Sequence, residues 1–145
     1  MPISSRFAVG IHILTLIEMT REEGVTSSEF IAASVNTNPA VIRKIMGMLK
    51  KAGLIEVHPG IAGAKLAKSL SDITLFDIYK AVDVVQENEL FSMHESPLPD
   101  CPVGKNIQNT IEPLFTAAQL AMEKVLKNVT IEDVVRDIDR KEQIQ

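Results

Sequence analysis

Apolar residues crowd the segment FAVGIHILTLIEM, Phe7 to Met19, so densely that almost no side of a helix built from it is polar. Such a helix needs cover on several faces, so one packing neighbour is not enough. Ser4 and Ser5 stand where capping residues belong, and the helix is expected to run to about Glu22. A polar break follows at Glu22, Glu23 and Gly24. Thr26-Ser27-Ser28-Glu29 then has the spacing of a capping box, with the Thr26 hydroxyl taking the Glu29 amide and the Glu29 carboxylate reaching back. Phe30, Ile31 and Val35 give a short second helix its buried side, and that helix ends near Val35-Asn36.

Asn38-Pro39 restarts the chain, Asn38 as cap and Pro39 in the first helical position, where no amide donor is needed. Val41, Ile45, Met48, Leu49 and Ala52 share one helical face. Gly53 is suited to end the helix in a left-handed conformation. The opposite face carries Ala40, Arg43, Lys44, Gly47 and Lys51. Glycine costs about 1 kcal/mol against alanine in a helix interior. Two readings of Gly47 stay open: a neighbouring helix packs closely there, or a ligand approaches closely.

Beyond Gly53 the period shortens to two. Leu54 to His58 and Ala64 to Ala67 suit short strands, and Pro59 to Gly63 suits the loop between them. Helix, helix, short turn, helix and two-stranded hairpin is the winged helix-turn-helix plan, a mainly α fold with a small wing. A helix with its side chains is about 10–12 Å across and fits a major groove about 12 Å wide. Arg43 and Lys44, near the helix start, stand where base edges are read. Asn38 can bond a phosphate or a base edge, and the helix N-terminus itself suits phosphate. His58, Lys65 and Lys68 flank the hairpin loop and can reach the adjacent backbone or minor groove.

In the second half, Thr74 and Asp77 form another capping box, opening a helix expected to reach about Val84. A polar loop follows. Ile107, Ile111, Leu114 or Phe115, Ala118, Ala121 or Met122, Val125 and Val129 then recur along a helix that spans roughly 35 Å over residues 105–127. One small chain cannot cover so long an apolar stripe, so the helix is expected to pack on its symmetry mate. Ile107, Ile111, Phe115, Ala118, Met122 and Val125 are the expected dimer contacts. Pro113 kinks or restarts that helix. A last short helix, capped by Thr130, runs from Ile131 to about Asp139, and the tail KEQIQ frays. The chain thus divides into a DNA-binding part, 1–84, and a loop with a long dimerisation helix and a short terminal helix, 85–145.

Charge supports this division. Net charge is −4, yet residues 1–68 carry eight Lys/Arg against five Asp/Glu, and residues 69–145 carry seven against fourteen. A basic first half suits a polyanion and an acidic second half does not. Hydrophobic residues make up 46% and aromatics only 4%, so the core must be aliphatic. No apolar run approaches the ~20 residues needed to cross a bilayer. Phe7 to Ile17 faintly resembles a signal peptide, but His12 and Thr15 interrupt it and no small-residue cleavage site follows. The single cysteine excludes an internal disulfide and points to the reducing cytoplasm.

Candidate chemistry is sparse. Cys101 stands in LPDCPVG, with His94, Glu95 and Asp100 nearby. It is a metal or cluster ligand, a thiol sensor or an incidental cysteine; one thiolate falls short of the usual cluster sites. His12, in an apolar helix, reads as a hydrogen-bonded core histidine. No nucleophile–base pair, phosphate-binding glycine loop or zinc spacing occurs, which argues against an enzyme.

SSRFAVGIHILTLI, IAASVNTNPAVIRKIMGMLKKAGLIEVHPGIAGAKLAK and DITLFDIYKAVD resemble the Rrf-two family of bacterial winged-helix transcription regulators, and within it the YwnA-like branch. The family includes an iron–sulfur cluster regulator, a nitric-oxide-sensing repressor and a cysteine-metabolism repressor. The resemblance covers nearly the whole chain and is strongest from Ser5 to Val84. It implies a homodimer held by the long helix, major-groove reading from Asn38 to Lys44, wing contacts from His58 to Lys65, and phosphate contact near Arg6. The expected DNA-facing set is Ser5, Arg6, Thr37, Asn38, Pro39, Ala40, Arg43, Lys44, Lys51, His58, Lys65 and Lys68. Cluster-binding members carry three cysteines before the long helix. Only Cys101 stands there in this chain, so no cluster, metal or other cofactor is expected. Many relatives have arginine at His58 and a more glycine-rich wing, so the operator is expected to differ. The reading is a dimeric regulator, a repressor by expectation, on an inverted-repeat double-stranded operator, with no membrane partner. The alternative is a thiol-sensing or protein-interaction module on the same fold without tight DNA binding.

Overall fold

The structure, a computed structural model, describes residues 3–24, 26–57, 63–82, 91, 93–95 and 97–144. In chain order come α1 (Ile3–Met19), α2 (Ser28–Val35), α3 (Pro39–Lys51), the strands β1 (Ile55–Glu56) and β2 (Lys65–Leu66), α4 (Leu75–Val82), α5 (Pro102–Lys127) and α6 (Ile131–Ile144). Short 3-10 turns at Arg21–Glu23 and Leu70–Asp72 join them. The strands run antiparallel, with Ile55 opposite Leu66 and Glu56 opposite Lys65. This is the mainly helical winged helix-turn-helix with a long later helix that the sequence predicts.

The apolar girth of α1 is covered as expected, by α2, α3, α4 and α6. Ile13 and Leu14 are wholly buried and Ile17 nearly so. Gly10 marks the closest approach to α4. A Cβ there would lie 2.9 Å from Ile78 Cγ2 and 3.1 Å from Val82 Cγ1, so only glycine lets these two helices sit at this separation.

Several local expectations shift. The first helix already includes Ile3, so Ser4 and Ser5 lie inside its first turn and do not cap it, and it stops at Met19 rather than near Glu22. The cap of α2 is Ser27, whose hydroxyl accepts the Phe30 amide at 3.1 Å, not Thr26. Thr26 is buried and bridges to Ala64 at the start of the wing's second strand. Phe30 is 49% exposed, and Ala32 takes its place beside Ile31 in the core. In α3 the buried residues are Ile42, Ile45, Met46 and Leu49. Ala52, beyond the helix end, is exposed. Gly53 does adopt the left-handed conformation, at φ 78°.

The capping box at α4 forms as expected. The Thr74 amide donates to Asp77 Oδ2 at 3.0 Å, and the Asp77 amide to Thr74 Oγ1 at 3.1 Å. Thr130 builds the same pair with Asp133, at 2.9 and 3.2 Å. The two boxes lie side by side: the Leu75 amide donates to the Val129 carbonyl at 2.8 Å and the Ile131 amide to the Ile73 carbonyl at 2.9 Å. Ile131 is thereby part of the same core as Ile13, Ile42 and Ile78. The last helix continues to Ile144, so residues 141–144, expected to fray, are helical. Ion pairs Arg136–Glu132 at 2.8 Å and Lys141–Asp137 at 2.7 Å run along it. The long helix is unbroken over 26 residues, with Pro113 inside it, so it does not restart there. Among the described residues, no helix is long and apolar enough to cross a membrane.

Candidate nucleic-acid interface

The turn between α2 and α3 is set by two asparagines. Asn36 takes a left-handed conformation, φ 64°, and ends α2. The Thr37 amide donates to the Ala32 carbonyl at 3.0 Å. Asn38 Oδ1 accepts the Ala40 amide at 2.7 Å, with Pro39 in the first turn of α3. That oxygen is therefore committed to the cap, and α3 is aimed by it. Asn38 and Ala40 are exposed; Thr37 and Pro39 are half-buried.

With Ile42, Ile45, Met46 and Leu49 turned inward, α3 exposes Ala40, Arg43, Lys44, Gly47, Lys50 and Lys51. Among the described residues, a Cβ on Gly47 would meet nothing within 4 Å, so no described helix packs into the gap. The missing side chain leaves the middle of a cationic face flat and open. A shallow groove of about 260 Å³ beside it runs from Ser28 past Arg43, Gly47 and Lys50 to the wing residues Val57 and Gly63. The helix α3 and the wing base therefore share one surface.

Glu29 belongs to this surface and was missed as a functional candidate. Its Oε1 lies 3.6 Å from Arg43 Nη2, both side chains being largely exposed. Its own backbone amide, then the Ser28 hydroxyl and Arg43, hold its carboxyl below the usual value. The capping-box pattern masked it, because that pattern accounted for the carboxylate locally. Lys50, expected with Lys51 and Lys68 to meet phosphate, is exposed on the same face.

The remaining expected residues are spread out. Ser5 and Arg6 are half-buried in the first turn of α1. Lys65 and Lys68 are exposed and line a different cavity, with Arg21 of the turn after α1. His58 lies outside the described residues. His12 makes the expected hydrogen bond, Nε2 2.8 Å from Ser34 Oγ on α2, but is half-buried rather than a core residue.

Along α5, Ile107, Ile111, Phe115 and Met122 are half-buried, while Ala118 is exposed and Val125 is 62% exposed. Leu114 and Leu120 are bare as well. Phe115 packs on Phe91, ring centroids 5.1 Å apart. Cys101 occupies the N-cap position of α5 without a side-chain cap bond, and the nearby Gly104 and then Val103 amides hold its thiol below the usual value. His94, Glu95 and Asp100 are exposed. Among the described residues, no group of three or more His, Cys, Asp or Glu side chains is arranged to hold a metal ion.

Residues 3–137 match the family described as Rrf2, iron-dependent transcriptional regulator. The HTH-type transcriptional regulator YwnA of Bacillus subtilis (strain 168), so named without firm assignment, is 47% identical over 136 residues, which is 94% of this chain and 98% of that protein. A solved structure described as a DNA-binding protein superposes with a TM-score of 0.71 at 43% identity, covering 89% of this chain and 97% of the other. CymR (YrzC), the global cysteine regulator of B. subtilis, gives 0.66 at 25% identity, covering 94% and 97%. The iron in the family description finds no match in the donors here. Clusters are held by several thiolates, and this chain has one cysteine. The residues around Cys101 do not fit such a group.

Proposed function

This chain belongs to the Rrf2 family of transcription regulators, and from that premise we propose a homodimeric, cytoplasmic repressor that binds an inverted-repeat operator without an iron–sulfur cluster. Its family and relatives are regulators of transcription, not enzymes. DNA contact falls to residues 1–84, through α3 and the wing; pairing falls to residues 85–145, through Ile107, Ile111, Phe115, Ala118, Met122 and Val125 on α5.

One observation carries the DNA reading. Gly47 lies at the centre of a face bearing Arg43, Lys44, Lys50 and Lys51, and among the described residues a Cβ on it would meet nothing within 4 Å. A helix spends about 1 kcal/mol on an interior glycine. A surface that must lie against a duplex gives that cost a purpose, since a side chain there would hold the backbone off the groove floor. A gel-shift of the purified chain on the DNA upstream of its own gene, over a salt series, tests it. The expected result is tighter binding to that fragment than to random duplex, with log K falling linearly as log salt rises. No shift at low salt, or equal affinity for both duplexes, overturns the proposal.

The thiol-sensing alternative has one observation in its favour: the Cys101 thiol is held below its usual value by two backbone amides. A more ionised thiol is a more reactive one.

A further inference from the structure

A cavity of about 540 Å³ opens between the C-terminal end of α1 and the stretch from β2 to Leu70. Its floor is aliphatic, with Ile17 buried and Leu66 and Leu70 half-buried. Protein interiors are otherwise close-packed. Sites for small ligands occupy about 300–1,000 Å³ and combine an apolar lining with a few placed polar groups. Here those groups are Arg21, Lys65 and Lys68 against the single carboxylate of Glu18, which pairs with Arg21 at 3.5 Å. An aliphatic body fits the floor, and an anionic head fits the rim.

We infer that this cavity binds a small amphipathic carboxylate, and that filling it lowers the affinity of the chain for DNA. The first half stands on the cavity alone; the second rests on the proposed function. Lys65 and Lys68 belong to the expected DNA-facing set, so an anion held between them removes charge that would otherwise meet phosphate. The cavity wall is also tied to the helix-turn-helix. The Thr26 amide donates to the Ala64 carbonyl at 3.4 Å and the Ala64 amide returns to the Thr26 carbonyl at 3.1 Å, so β2 and the entry to α2 move together. Coupling of this kind is reciprocal: DNA must weaken carboxylate binding by the factor by which the carboxylate weakens DNA binding.

Calorimetric titration of the full chain with octanoate, octylamine and octanol tests the site, and fluorescence anisotropy of the upstream duplex with and without octanoate tests the coupling. Octanoate is expected to saturate one site per chain, with the amine and the alcohol about tenfold weaker or worse. Arg21→Gln should weaken octanoate about tenfold and leave DNA affinity unchanged when octanoate is absent. Glu18→Gln, which frees Arg21, should tighten octanoate. Saturating octanoate should lower DNA affinity about fivefold or more. Absence of saturation, equal binding of the three probes, or an unaltered Arg21→Gln titration overturns the site, whatever the DNA result. Octanoate binding with unchanged DNA affinity overturns the coupling. A chain that takes octanoate as described and binds no DNA upholds the site and overturns the proposed function instead.

Discussion

Arg43 Nη2 and Glu29 Oε1 stand 3.6 Å apart, so the cation proposed to read a base is engaged by a carboxylate from the preceding helix. In the free protein the pair holds Arg43 near the entry of α3. On DNA the same carboxylate is a like charge beside phosphate. Glu29→Gln should therefore tighten binding to all duplexes several-fold, with the larger gain on random DNA. Arg43→Ala should weaken the operator more than random DNA, since a base contact carries about 1–3 kcal/mol of discrimination. Anisotropy titrations on both duplexes decide this. An equal loss on both would make Arg43 another phosphate contact.

Gly47 separates folding from binding. Gly47→Ala meets no neighbour and should raise stability by up to about 1 kcal/mol in urea denaturation. Gly47→Leu should also fold, yet lose DNA affinity tenfold or more by holding the backbone off the duplex. Full affinity in the leucine variant would remove the proposed face from the interface.

Lys51, at the exposed end of α3, is proposed to meet phosphate. Lys51→Ala should weaken operator and random DNA alike and flatten the slope of log K against log salt by roughly one. An unchanged slope would mean that Lys51 stays in solvent.

Val125 is 62% exposed in the single chain, so a charge there costs the monomer little. Val125→Glu should nevertheless split a dimer built on α5, which sedimentation at micromolar concentration would register. A wild-type chain that sediments as a monomer removes that interface altogether.

Cys101 carries a pH consequence. The nearby Gly104 and then Val103 amides hold its thiol below the usual value in the folded chain. The stabilisation this gives is present above the unfolded thiol's pKa and is lost as pH falls through the folded one. Near neutral pH the folded chain should thus react with iodoacetamide faster than the urea-unfolded chain. Slower reaction in the folded chain would contradict it. Cys101→Ser should keep DNA affinity and abolish any response to oxidants; a surviving response leaves the thiol incidental.

Much of this architecture was legible because its signals are local. Asn38-Pro39, Gly53 and the Thr74/Asp77 box each act within one turn of chain. The failures lie where a distant partner decides. Thr26 and Ser27 are both good caps, and the choice falls to Ser27 because Ala64 claims Thr26 for a bridge. The apolar arc of α3 includes Val41, Ile42, Ile45, Met46, Met48 and Leu49. Its position against α1 and α4 selects which of these are wholly buried, and that in turn sets which lysines are bare. The ion pair between Glu29 and Arg43 was hidden for the same reason, since it joins two helices.

The paired caps at Thr74 and Thr130 also bear on how the protein is made. Ile131 completes a core begun by Ile13, Ile42 and Ile78. Synthesis runs from the N-terminus at about 5–20 residues per second. The winged-helix residues therefore emerge from the ribosome several seconds before the helix that finishes their core. Until then the face of α1 that receives α6 is uncovered on the nascent chain. A regulator built this way gains its full packing only after α5 has been made, so a truncated product of interrupted translation would lack the packing of the finished one.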